Sequence, residues 1–142
     1  MSSPSSKTDF GRQLVRNYEL GRRMLASLTE DFSDEDAHVR IEPLKPLVWY
    51  LGHIAVAEST LLHLYFDQDH PFSTDHLKKY GRGSDGRADF SDANMGEMLE
   101  MLGLLRDRVR AALGTLTYED MERAPSRQIE HPAFNTLGTA SA

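Results

Sequence analysis

"PLVWYLGHIAVAESTLLHLYF", residues 46–66, is the most apolar stretch of the chain, and how it is read decides the fold class. Leu47, Leu51, Ile54, Leu61 and Tyr65 recur at spacings that place them on one side of a helix. Pro46 suits a first helical turn, and the helix is expected to end near Phe66. The stretch approaches the length of a membrane span, but His53, Glu58 and His63 interrupt it, so it reads as the core helix of a globular domain.

Two further helices follow from the same periodicity. Over residues 8–30, Phe10, Leu14, Tyr18, Gly21, Leu25 and Leu28 alternate at steps of four and three, with arginines on the other faces and Thr8 or Asp9 as a cap. Over about 91–116, Met95, Leu99, Leu102, Leu105 or Arg106, Val109, Leu113 and Leu116 share a side, with Ser91 or Asp92 as the cap. Residues 67–90, rich in Gly, Pro and charge, read as a long surface loop with one short helical turn near His76 to Tyr80. A fourth helix is expected to open near Asn135 or Thr136, with two turns at most before Ala142.

An internal echo supports this division. Ser33 is followed three residues later by Asp36, and Thr117 by Asp120, each an acidic variant of the capping box ahead of a helix start. "YLGHIA" at 50–55 then matches "TLGTAS" at 136–141. The expected fold is therefore all-α: a single domain over residues 1–142, an up-down helical bundle with residues 1–7 as a loose tail and helix 4 truncated. Three amphipathic helices would leave an apolar groove on the order of several hundred Å². A second copy of the chain would cover it, which makes a homodimer the expected assembly.

Composition narrows the function. The 142 residues carry a net charge of −6 with Lys and Arg scattered, which argues against a nucleic-acid partner. No apolar leader or span occurs, so no membrane association is expected and the inferred location is cytoplasmic. There is no cysteine, which removes disulfides, thiolate ligands and a cysteine nucleophile together. "GRGSDG" at 81–86 fits neither a Walker A loop nor a dinucleotide fingerprint, and no nucleophile elbow or H-E-x-x-H helix occurs.

Histidine chemistry remains. His53, with Trp49, Val56 and Thr60 as helical neighbours, can face the bundle interior. It is either a buried neutral imidazole bonded to a carbonyl or a metal ligand. Glu58 lies about 140° further round the helix, so it reads as a buried ion-pair member or a partner for another helix. His131 precedes proline in an entry turn. His38, His63, His70 and His76 read as solvated.

The pairing of "WYLGHIAVAESTLL" with a late "HPAFNTLG" resembles the DinB-like (DinB/YfiT-like) metalloenzyme family of four-helix bundles, over roughly residues 8–142. Trp49, Gly52, His53 and Glu58 carry the strongest local match. The resemblance implies a divalent metal, Zn, Ni, Fe or Mn, held by three histidines: one on helix 2, which carries over to His53, and a pair spaced by four on helix 4. That pair has no counterpart here, since continuing helix 4 would place it past Ala142. Trp49, Glu58 and His131 become candidates for the surrounding shell or pocket, with His131 as a substitute ligand. The implied activity is a metal-dependent transferase acting with a low-molecular-weight thiol, or a hydrolase. The alternative is a non-catalytic helical module for dimerisation or small-ligand binding.

Overall fold

A computed structural model describes residues 7–122. The elements in chain order are α1 (Lys7–Thr29), α2 (Asp34–Ala37), α3 (Leu47–Phe66), α4 (Thr74–Tyr80), α5 (Met95–Leu113) and a 3-10 turn over Tyr118–Glu122. The described residues are all helical in their regular structure, with no strand among them. No helix among them is long and apolar enough to cross a membrane.

α3 is the hub, packing most extensively on α5, while α4 lies against it and α2 touches both α3 and α5. The fully buried apolar side chains are Val48, Leu51 and Leu62 of α3, Leu105 and Val109 of α5, and Leu116 just beyond α5. The stripe expected on α3 is too narrow. Val48, Trp49, Leu51, Gly52, Ala55, Val56, Ser59, Leu62, Leu64 and Tyr65 are buried on several sides, whereas Ile54 and Leu61 are only partly buried. A helix enclosed by three neighbours loses a clean amphipathic pattern.

Chain direction follows from who meets whom. A Cβ on Gly11, near the start of α1, would come 2.4 Å from the Gly114 carbonyl oxygen just past α5, so α1 and α5 run antiparallel. The N-terminal halves of α3 and α5 line one cavity with α4, so those two helices start at the same end. A helix of 20 residues is about 30 Å long, and residues 67–94 must carry the chain back over that distance. This accounts for the length of the connection, and for a helix, α4, that is longer than the single turn read from sequence.

The caps partly match expectation. Ser33 and Asp36 form a reciprocal capping box, and it opens the short helix α2, which periodicity over four residues could not reveal. At the echo of that motif, Asp120 Oδ2 accepts from Thr117 N and Oγ1 at 2.8 and 3.1 Å, opening the 3-10 turn. Three caps are corrected. Thr8 and Asp9 lie inside α1 and do not cap it. Pro46 is the N-cap of α3 and not its first residue; α5 is capped by Asn94, not Ser91 or Asp92, through Asn94 Oδ1 accepting from Glu97 N. Asp34 Oδ1 accepts from Met95 N at 2.7 Å, so α2 also caps α5.

The outer face of α1 carries Leu20, Met24 and Leu28, all exposed. Leu28, placed in the core stripe from sequence, is thus outside it. The expected fourth helix, its truncation and the "TLGTAS" half of the echo lie outside the described residues.

Candidate functional site

His53 projects from the second turn of α3 and is half-buried. Its ring stacks on Trp49, one turn earlier, with centroids 4.7 Å apart and an 11° interplanar angle. Its Nδ1 lies 2.9 Å from the Tyr80 carbonyl oxygen at the end of α4. A carbonyl can only accept, so Nδ1 carries a proton, and in the neutral ring Nε2 carries the lone pair. Among the described residues Nε2 makes no hydrogen bond. Both of the chemistries weighed from sequence remain compatible with this geometry, since carbonyl-bonded Nδ1–H is the arrangement of a buried neutral histidine and also of a metal-ligating one.

Trp49 is itself fixed. Its indole Nε1 donates to Ser84 Oγ at 2.8 Å, and Ser84 Oγ donates on to the Gly81 carbonyl at 2.8 Å. Lys45 Nζ lies 4.0 Å from the Trp49 ring centroid, a cation–π distance. The "GRGSDG" segment is therefore a strap over Trp49.

Gly52 makes the arrangement possible. A Cβ there would stand 2.3 Å from Tyr80 Cδ1, so only glycine lets the Tyr80 ring lie flat on α3 and bring its carbonyl to His53. Sequence analysis missed Tyr80. The signal was present in the Gly-His pair, but the pair does not say which residue fills the space.

Glu58 faces α1. Tyr18 donates its hydroxyl to Glu58 Oε1 at 3.1 Å, Arg22 Nε donates to the Tyr18 hydroxyl at 3.1 Å, and the Arg22 guanidinium pairs directly with Glu58 Oε1. Burial pushes the Glu58 carboxyl up, while the Arg22 charge and the two hydrogen bonds oppose it. Burial, and then the Glu58 charge, also push the Tyr18 hydroxyl up. Glu58 is thus the buried ion-pair member that the sequence allowed, with its acceptor taken by α1. His131 lies outside the described residues.

Four histidines read as solvated are partly buried and engaged. His38 Nδ1 and Nε2 lie 2.7 and 3.0 Å from the Asp34 and Phe90 carbonyl oxygens, tying α2 to the segment before α5. His70 Nδ1 is 2.7 Å from the buried Ser59 hydroxyl. His63 Nδ1 is 3.0 Å from the Gln68 carbonyl, and its ring lies 4.7 Å from that of His70. His76 stacks on Phe72 at 4.4 Å and 7°. Burial lowers the basicity of His70, helped by His63, and that of His76, helped by Lys79. Only some of these contacts come from distant chain, Phe90 to His38 and Ser59 to His70; those of His38 with Asp34, His63 with Gln68 and His76 with Phe72 are made within five residues.

No group of three or more His, Asp or Glu among the described residues is arranged to hold a metal ion. His53 is thus a single donor there, with a fixed tautomer and an unengaged nitrogen.

A family model described as the DinB superfamily matches residues 17–141. No curated protein and no solved structure matches the chain.

Proposed function

The chain belongs to the DinB superfamily, and on that premise we propose that it is a metal-dependent enzyme of the cytoplasm in which His53 contributes one neutral imidazole to a divalent ion. The observation that carries this reading is the His53–Tyr80 hydrogen bond of 2.9 Å, together with the stack on Trp49. They fix ring plane and tautomer, so little rotamer freedom remains to be lost on coordination. The other donors come from residues outside 7–122, His131 among them, or from a second copy of the chain.

Thiol S-transfer with a low-molecular-weight thiol is the reaction class we favour, because it is the activity that the resemblance to the DinB-like family implies. A divalent ion with an open position supplies Lewis acidity that lowers the pKa of a thiol or of water. Tyr80 holds the His53 proton on Nδ1. Trp49, strapped by Ser84, shields one face of the imidazole from water. Glu58 stays with Arg22 and takes no part in orienting His53.

A second reading, a non-catalytic module that dimerises, is favoured by the exposed Leu20, Met24 and Leu28 on α1. Elemental analysis of the purified chain beside its light-scattering mass separates the two, with His53→Ala as control. Near-stoichiometric metal that departs in the variant supports the enzyme. A dimer with background metal in both proteins overturns it in favour of the assembly module.

A further inference from the structure

Away from the outer face of α1, a cavity of about 510 Å³ opens between α3, α4 and the start of α5. Its volume is in the range that holds a small organic ligand. Its floor is apolar: Leu51 and Ala55 are buried, and Met98 and Met101 line the far wall. One side is aromatic, built from the stacked Phe72 and His76 rings and the Tyr80 ring, 4.7 Å from His76.

The charge around the mouth is unbalanced. Asp75, Asp92 and Glu97 bring three carboxylates, and Lys79 brings one ammonium. Lys79 Nζ is already 3.0 Å from Asp92 Oδ1. Asp75 and Glu97 make no ion pair among the described residues. His76 adds no compensating charge near neutrality, because burial and Lys79 lower its basicity. At the two helix starts beside the mouth one amide each is already taken: Ser73 Oγ accepts the His76 amide, and Asn94 Oδ1 accepts the Glu97 amide.

We propose that this cavity is a binding site for a small organic cation with a flat apolar body, its body seated against Met98 and the Phe72–His76–Tyr80 rings and its charge held between Asp75 and Glu97. Aromatic faces and carboxylates attract the same ligand, the first through the ring quadrupole and the second through net charge. The proposal does not depend on a metal at His53. It does place a ligand against the Tyr80 ring, whose carbonyl holds His53.

The test uses the full chain with ¹³C-methyl methionine and three probes of one shape: 2-phenylethylammonium, neutral 2-phenylethanol and anionic phenylacetate. The expected result is saturable movement of the Met98 and Met101 methyl signals by the cation, with the alcohol weaker and phenylacetate silent. Asp75 and Glu97 are exposed first-turn residues of α4 and α5, so Asp75→Asn with Glu97→Gln, with helicity checked by circular dichroism, keeps the fold and weakens the cation about threefold or more. Met98→Trp, with helicity checked by circular dichroism, abolishes the response by filling the space. Still methyl signals up to about 10 mM cation, equal binding of phenylacetate, or an affinity unaffected by the two neutralising substitutions would each overturn the proposal.

Discussion

The Tyr80 carbonyl oxygen stands 2.9 Å from His53 Nδ1, so the residue that ends α4 dictates which nitrogen of the α3 imidazole is free. Tautomers differ in ¹⁵N chemical shift, and the neutral ring should report a protonated Nδ1 and an unprotonated Nε2. A His53 ring with the proton on Nε2 would contradict the hydrogen bond and remove the geometric basis for ligation.

The Gly52→Ala variant tests what places Tyr80. Glycine inside a helix is unfavourable by about 1 kcal/mol relative to alanine, so the substitution should stabilise α3 if space allowed it. Space does not: the new methyl would stand 2.3 Å from Tyr80 Cδ1, and the Tyr80 ring could yield only by turning into the cavity it borders, which would draw its carbonyl away from His53. Overpacking of this kind costs about 1–3 kcal/mol. The expected result is a net loss of stability in urea unfolding, together with a changed His53 ¹⁵N signal as the carbonyl is displaced. A stabilised variant would show that the ring moves freely.

The bridge between α1 and α3 should behave as a buried ion pair. The Arg22 and Glu58 side chains are 11% and 15% exposed, and Arg22→Met leaves a carboxylate that burial already disfavours. About 3 kcal/mol of destabilisation is expected, and Arg22→Met with Glu58→Leu should recover most of it by replacing the pair with apolar contact. The pH dependence has a definite sign. The Glu58 pKa is raised in the fold above its ordinary 4.5, so its contribution is most favourable below that value and is lost as pH rises through the folded pKa. Chemical denaturation should therefore show the single variant losing more stability at neutral pH than near pH 4.5. Equal losses at both would mean that the carboxylate is not buried in solution.

Legibility in the sequence followed the range of the interaction. The three long helices announced themselves because their periodicity is local, and Ser33–Asp36 did so because a capping box is complete within four residues. Asn94 escaped as the α5 cap because Ser91 and Asp92 carry the same acceptor chemistry, and only tertiary packing selects among them. His53 was identifiable through Gly52 and Trp49 beside it. Tyr80, 27 positions away, was not, since a backbone carbonyl has no residue-type signature. The same limit hid His70 on Ser59, since that segment looks solvated until it folds back onto α3; His76 on Phe72 is four residues apart and was masked by the charged residues around it.

His38 offers the last test, because its two bonds need a charge. Both ring nitrogens face carbonyl oxygens, of Asp34 and Phe90, and only the imidazolium can donate to both at once. The Asp34 hydrogen bond, foremost, raises the His38 pKa above 6.5, with burial opposing. A raised folded pKa gives a contribution that is fully present below 6.5 and disappears as pH climbs through the folded value. His38→Gln should therefore lower Tm more at about pH 6 than at about pH 8. His70 and His76, whose basicity is lowered, favour the fold in the opposite direction, but they are present in both proteins and cancel in the difference. If the Tm gap between the two proteins stays constant or widens toward alkaline pH, His38 ties α2 to α5 as a neutral ring, and the second of its two bonds is not formed.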